Sequence, residues 1–389
     1  MKTVMWILHP TKFCNLRCAY CYEWDSLADR SRSSTELLRK MFLAVRAYHH
    51  QLQGRFAQVR SVISWLGGEP LILPLDYLDA LMKTQRELLG DLLAEGSVEN
   101  VVQTNLYKIT DEVIAFLKAH RWSVGVSYDV VSGARVTLTG APSEERVKRN
   151  IARVRAAGIE PEAIAVLAGH TVPDICRVHD WFVDNDFRGL RILPLFDGPS
   201  SRDMSGCAAT NEELVAALCR VAVHWLDKGC PISLSPIEEY LGSALRKMVG
   251  IGHRVLDRTV DGEAVLLVNT NGDLYQLLDA FEPARRMGTL ATQGIDEILG
   301  STSTAETYAR DRRLMGELCS GCRYEGHCNG WPIYDAPRTG TYDGRCPIAY
   351  PVQLFLEETL RRWGLGRREL AGMLRATQRA HEPASGLEQ

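Results

Sequence analysis

The sequence predicts an α/β protein: a partial (β/α)6 TIM-like barrel over residues 1–232, then a smaller domain of β-hairpin, irregular loop and helices over 233–364, and a C-terminal helix and polar tail over 365–389. Three observations predict it. Short apolar runs alternate six times with amphipathic segments before Gly229, the rhythm of a parallel sheet whose crossovers are helices. That rhythm then gives way to two turn pairs, Asp261-Gly262 and Asn271-Gly272, flanking one apolar strand. Residues 319–346 carry four cysteines among Gly, Asn and Pro with little periodicity, so a bound metal is expected to order them where a core cannot.

Val4–Leu8 is an apolar run ended by His9-Pro10 and reads as a buried first strand. Ser33 and Glu36 make a capping box for a helix from Thr35 to about Gln51, with Leu37, Leu38, Met41, Phe42 and Val45 on one face. Val62–Leu66 is the second strand, closed by Gly67-Gly68-Glu69-Pro70, and Leu75–Leu93 the second helix. Val101–Thr104, Trp122–Tyr128, Ile164–Leu167 and Leu190–Leu195 continue the strands, with helices at Asp111–Ala119, Ser143–Ala157 and Pro173–Asp184 between them. In such folds the chemistry sits at the C-terminal ends of the strands, where Cys14–Cys21 and the Gly67-Gly68 turn both fall. Further on, Ser235–Val249 reads as a helix and Val255–Tyr275 as a hairpin around Ala264–Val268. Helices return at 352–362 and 367–379, and His381–Gln389 reads as a frayed tail.

The 389 residues hold 45 Lys plus Arg against 48 Asp plus Glu, a net charge of −3, which gives no electrostatic reason to expect nucleic acid or a membrane surface as partner. No apolar run approaches the roughly 18 residues of a membrane span, and the N-terminal apolar stretch is too short for a signal peptide. Eleven cysteines are an odd number and most are clustered. A reducing cytoplasm is therefore expected, where clustered thiols are more often metal ligands than disulfides.

Cys14, Cys18 and Cys21 have the spacing C-x3-C-x2-C. Three thiolates in eight residues can wrap one face of a cluster. Structural zinc wants a fourth ligand, which only a distant residue such as His9 would supply. An iron–sulfur cube on three cysteines instead leaves one iron open.

Cys14, Cys18, Tyr20 and Cys21, followed by Gly67-Gly68-Glu69-Pro70, resemble the radical S-adenosylmethionine (SAM) enzymes. The resemblance implies a [4Fe–4S] cluster on the three cysteines whose open iron chelates SAM. Reductive cleavage would then release a 5′-deoxyadenosyl radical that abstracts hydrogen from an unactivated C–H bond. It further implies close backbone approach to the methionyl ammonium at Gly67 and Gly68, a fixed negative charge at Glu69, and adenine near Tyr20. Asn105 and Ser127 are candidate ribose or carboxylate contacts, against the alternatives of a strand-end cap and a satisfied strand hydroxyl. The alternative for Glu69 is a cap on the following helix, which the whole four-residue turn disfavours.

Cys319, Cys322, Cys328 and Cys346 would saturate one metal centre, as a zinc ribbon or as an iron–sulfur site. Placed after the first group, they resemble the SPASM extension with its auxiliary [4Fe–4S] clusters. The full SPASM pattern has a further cysteine after the hairpin, and Gly272–Leu277 has none, so one closed, electron-transferring cluster is expected. This variant resembles peptide maturases that form cyclophane crosslinks on ribosomally made precursor peptides. No dedicated leader-binding module is expected. The implied partners are the precursor peptide and an external reductant such as flavodoxin or ferredoxin. Asp279, after the hairpin, is the candidate catalytic base, against a plain surface aspartate. Cys176 and Cys219 read as buried apolar residues, and Cys207 as a loop thiol able, in an epimerase, to return a hydrogen atom. Competing readings are a dehydrogenase or epimerase acting on a small molecule or peptide, and a non-catalytic zinc protein.

Overall fold

A computed structural model describes residues 2–131, 133–196, 206–252, 264–276, 281–330 and 338–380. In chain order the first elements are β1 (Lys2–Leu8), β2 (Leu16–Cys18), α1 (Thr35–Gln53), β3 (Val59–Trp65), α2 (Leu75–Ala94), β4 (Val98–Thr104), α3 (Asp111–Ala119) and β5 (Ser123–Ser127). Then come β6 (Arg135–Thr137), α4 (Glu144–Ala156), β7 (Glu162–Leu167), α5 (Ile175–Asp184), β8 (Gly189–Pro194), α6 (Asn211–Asp227), β9 (Ser233–Ser235) and α7 (Ile237–Val249). The chain continues through β10 (Ala264–Val268), β11 (Asp273–Tyr275), β12 (Gly288–Thr289), α8 (Ile295–Leu299), α9 (Thr302–Cys319), α10 (Ala349–Arg362) and α11 (Arg367–Ala380). The strands β1, β3, β4, β5, β7 and β8 each lead into a helix, α1 to α6, the six repeats that the periodicity predicts.

The described residues divide into two compact units, one drawn from Met1–Ala163, Gly198–Gly206 and Asp257–Arg312, the other from Ile164–Asp197, Cys207–Leu256 and Arg313–Gln389. In the first unit the strand order is β12-β11-β10-β1-β3-β4-β5. β1 lies inside this sheet, parallel to β3 on one side and to β10 on the other. Val4, Trp6 and Leu8 share one face of the strand and are fully buried, while on the other face Ile7 is buried and Met5 is exposed. α1 covers one face, setting Tyr48 edge-on to Trp6 at 6.2 Å and Phe42 against Trp65 at 6.5 Å. In the second unit β7, β8 and β9 are neighbours, α5 packs on α6, and α7 packs on α10 and α11.

Several expectations need correction. The cap of α1 is Ser34, which accepts from the Leu37 amide at 3.1 Å, and Ser33 instead donates to the Thr270 carbonyl at 2.9 Å. Ser33 is buried and thereby ties α1 to the turn after β10, so the sequence spacing pointed one residue early. The hairpin β10–β11 forms around Asn271-Gly272 as expected, yet β10 pairs in parallel with β1. It therefore extends the sheet of the first unit, although the sequence reading placed it in a domain beginning at 233. Asp261-Gly262 and the tail from His381 lie outside the described residues. Cys319 ends a helix, α9, where an irregular loop was expected, and Cys176 and Cys219 are only half-buried. No helix among the described residues is long and apolar enough to cross a membrane.

Candidate functional site

The chain leaving β1 carries Cys14, Cys18 and Cys21 within 12 residues of His9, and its backbone is pinned locally. The Cys14 amide donates to the Leu27 carbonyl at 3.2 Å, and Arg17 donates to the Cys14 and Leu16 carbonyls at 3.0 and 2.8 Å. Cys14, Leu16 and Leu27 make a small core against which Cys18, Cys21, Trp24 and Tyr107 pack. All eleven cysteines are free thiols. Burial pushes Cys14 up to about 12, with the charges of Glu69 and Cys18 adding to it, and pushes Cys21 upward as well, with Cys18 and Cys14 adding to it. Three thiols crowded on one short loop are a donor set for a metal able to displace their protons.

The Gly67-Gly68-Glu69-Pro70 turn locks onto this loop. The Gly68 amide donates to the Thr11 carbonyl and the Glu69 amide to the Phe13 carbonyl, both at 3.0 Å. A Cβ at Gly67, whose φ is +109°, would lie 2.3 Å from the Thr11 carbonyl oxygen, and one at Gly68 would lie 2.3 Å from those of Lys12 and Phe13. Contact with the loop's own carbonyls is thus sufficient reason for both glycines, a reason that ligand approach had supplied in the sequence reading.

Glu69 is 1% exposed and braces three neighbours: it accepts from Leu71 N at 3.1 Å, Thr104 Oγ1 at 2.7 Å and Asn105 N at 2.7 Å. Burial raises its pKa, and these donors together with Arg135 oppose the shift. It joins the end of β3 to the end of β4, and its bond to Leu71 is the cap anticipated as the alternative. The Asn105 amide is engaged at both ends, accepting from Tyr107 N at 2.9 Å and donating to Asn15 Oδ1 at 2.8 Å. Ser127 Oγ accepts from Gln103 Nε2 at 2.7 Å.

Tyr20 is nearly buried, and its hydroxyl donates to Asp129 while accepting from Arg135 Nη1 at 2.7 Å. Sequence reasoning missed Arg135. It sits on β6 opposite Cys18 of β2 and is 6% exposed. Burial opposes its charge, but Cys18, Tyr20 and Asp129 outweigh that and hold it cationic. A second missed cluster closes the base of the loop. Glu23 Oε1 meets His9 Nδ1 at 3.1 Å and Glu23 Oε2 meets Lys12 Nζ at 3.3 Å. Burial raises the Glu23 pKa, but these two partners win and lower it. His9 is therefore a brace for the loop.

In the second unit Cys319, Cys322, Cys328 and Cys346 all line one cavity of about 220 Å³, with Met315, Tyr324 and Gln353 in its wall. Burial pushes Cys319 and Cys346 up to about 12. A single zinc closes four thiolates at about 2.3 Å without leaving a void. A space of this size with four sulfurs facing it suits a larger iron–sulfur group. Asp279 lies outside the described residues. Cys207 is 5% exposed, and its carbonyl accepts from the Gly169 amide at 2.8 Å.

Comparison with known proteins bears on the first of these centres. Residues 8–182 match the radical SAM superfamily. The serine-type anaerobic sulfatase-maturating enzyme of Bacteroides thetaiotaomicron is 23% identical over 82% of this chain and 79% of its own length. Among solved structures, anSMEcpe with bound AdoMet and Cp18Cys peptide has a TM-score of 0.70 at 17% identity, covering 96% of this chain and 99% of the other. Streptococcus suis SuiB bound to the precursor peptide SuiA has a TM-score of 0.60 at 13% identity, covering 85% and 71%. These likenesses show the α/β partial-barrel fold. With the three-thiol loop, the turn that grips it and the family match on one stretch of chain, residues 8–182 are a radical SAM domain, and the protein is an enzyme that uses a [4Fe–4S] cluster and SAM to modify a substrate by radical chemistry.

Proposed function

We propose that this enzyme is a peptide maturase that oxidises a ribosomally made precursor peptide, forming a C–C crosslink of the cyclophane type between an aromatic ring and an aliphatic side-chain carbon. The carrying observation is the four-thiol cavity, because a crosslink removes two electrons and needs somewhere for the second to go. The peptide class is supported by relatives whose names and ligands are polypeptide-directed.

In this reading Cys14, Cys18 and Cys21 hold the SAM-binding cluster, and Cys319, Cys322, Cys328 and Cys346 hold one auxiliary cluster. When bound, SAM and its cluster supply the radical that takes one hydrogen atom from the peptide. Glu69, braced by three donors, presents a fixed carboxylate at the end of β3, and Arg135 and Asp129 fix Tyr20 beside the loop. Asp279 is our candidate for the proton acceptor, and an external flavodoxin or ferredoxin for the electron donor.

A second reading, maturation of a sulfatase, is favoured by the names of the curated relatives. One experiment separates the two. The enzyme is co-expressed with a short aromatic-rich peptide encoded beside it, or with a sulfatase fragment, and products are mass-analysed. Loss of two hydrogens with fragmentation blocked between two residues supports the crosslink. An unchanged aromatic-rich peptide together with a modified sulfatase fragment rejects it.

A further inference from the structure

We infer that Gln353 is a positioning residue that raises the reduction potential of the four-cysteine centre and so makes it an electron acceptor. The inference rests on the iron–sulfur reading of that site. Gln353 lies on α10 and is 1% exposed, and its Nε2 donates to Cys328 Sγ at 3.1 Å. The Gly330 amide donates to the same sulfur at 3.3 Å, and the Tyr324 amide to Cys322 Sγ at 3.5 Å.

A buried carboxamide is costly unless bonded, and its neighbours Val352, Leu356 and Leu360 show that apolar residues serve this helix's packing face. The amide is instead directed at a thiol. Arg246, from α7, adds a cation in the field of Cys328. It is 9% exposed and held by Nε to the His327 carbonyl at 2.8 Å and Nη2 to Ser243 Oγ at 3.2 Å.

Reduction adds one negative charge to an iron–sulfur centre. Donors and cations at its sulfurs favour that added charge, and so raise the potential. At the three-cysteine loop Cys14 Sγ accepts from the Leu16 amide at 3.4 Å and Asn105 Nδ2 at 3.6 Å, with the Glu69 carboxylate and the Arg135 cation both in its field. The Gln353 bond to Cys328, at 3.1 Å, is shorter than either.

The test is an EPR-monitored redox titration of the anaerobically prepared full chain. In Gln353→Leu the auxiliary midpoint should fall by a tenfold change in reduction equilibrium, about 59 mV for one electron. Iron and sulfide content and the SAM-cluster midpoint should stay as in wild type. Gln353→Glu keeps the side chain's shape while replacing donor by carboxylate, and should lower the same midpoint even if the leucine variant loads poorly. An unmoved auxiliary midpoint in a loaded variant, or equal movement of both couples, overturns the assignment. Zinc in the four-cysteine site of the wild type overturns the iron–sulfur reading itself, recognised by a single redox couple before any substitution.

Discussion

Gly68 is where one methyl group decides whether the cysteine loop can close. A Cβ there would stand 2.3 Å from two backbone carbonyl oxygens, which cannot swing aside as a side chain would. Gly68→Ala should therefore fold but lose the EPR signal of the SAM cluster while keeping the auxiliary one. Retention of both signals would show the loop to be pliable. Arg135 and Asp129 offer a second residue-scale prediction. They share the Tyr20 hydroxyl inside the protein, so Arg135→Gln or Asp129→Asn alone should cost about 3 kcal/mol by urea denaturation. The double variant should cost no more than either single one, because no lone charge is left buried. Additive losses would mean that the two do not interact. The cysteines were legible from spacing because metal ligation needs residue types in a tight pattern. Arg135 was not, since a charged residue on a three-residue strand reads as surface until its partner strand is known.

At the scale of elements, α10 is docked by a buried carboxylate. Glu357 receives Arg323 at 2.7 and 3.0 Å and Tyr324 Oη at 2.7 Å, with Lys247 at 3.6 Å and Arg361 also in contact. Burial raises its pKa, but these partners prevail and bring it from 4.5 down to about 2. A folded value below the unfolded one adds stability that is complete above pH 4.5 and fades toward pH 2. Glu357→Gln should thus be less stable than wild type by about 3 kcal/mol at neutral pH. The gap should narrow as pH falls through that window, measured as the difference between their urea midpoints. A gap independent of pH would assign the loss to packing. Periodicity revealed the six strand–helix repeats because burial on one helix face or both strand faces writes itself into the sequence. It did not reveal that β10 pairs with β1, since a strand's pattern shows what it buries but not its neighbour. α9 escaped notice because its Thr302–Ser303–Thr304 start and charged middle bury few apolar residues.

At the scale of the molecule, each cysteine group is enclosed by residues of a single compact unit, the loop in the first and the cavity in the second. Loss of one set of ligands should therefore leave the other centre assembled. Cys328→Ala with Cys346→Ala empties the cavity of two thiols, one of them the acceptor of the Gln353 amide. That double variant should still bind SAM and produce 5′-deoxyadenosine when given dithionite, because the loop, its glycine turn and Glu69 are untouched. It should not complete the loss of two hydrogens from a peptide, because the second electron has no acceptor. The informative quantity is the ratio of crosslinked peptide to 5′-deoxyadenosine, which should fall at least tenfold while deoxyadenosine formation stays within a few-fold of wild type. A ratio that holds would mean that the four-cysteine centre only braces α10, and that the second electron leaves by another route.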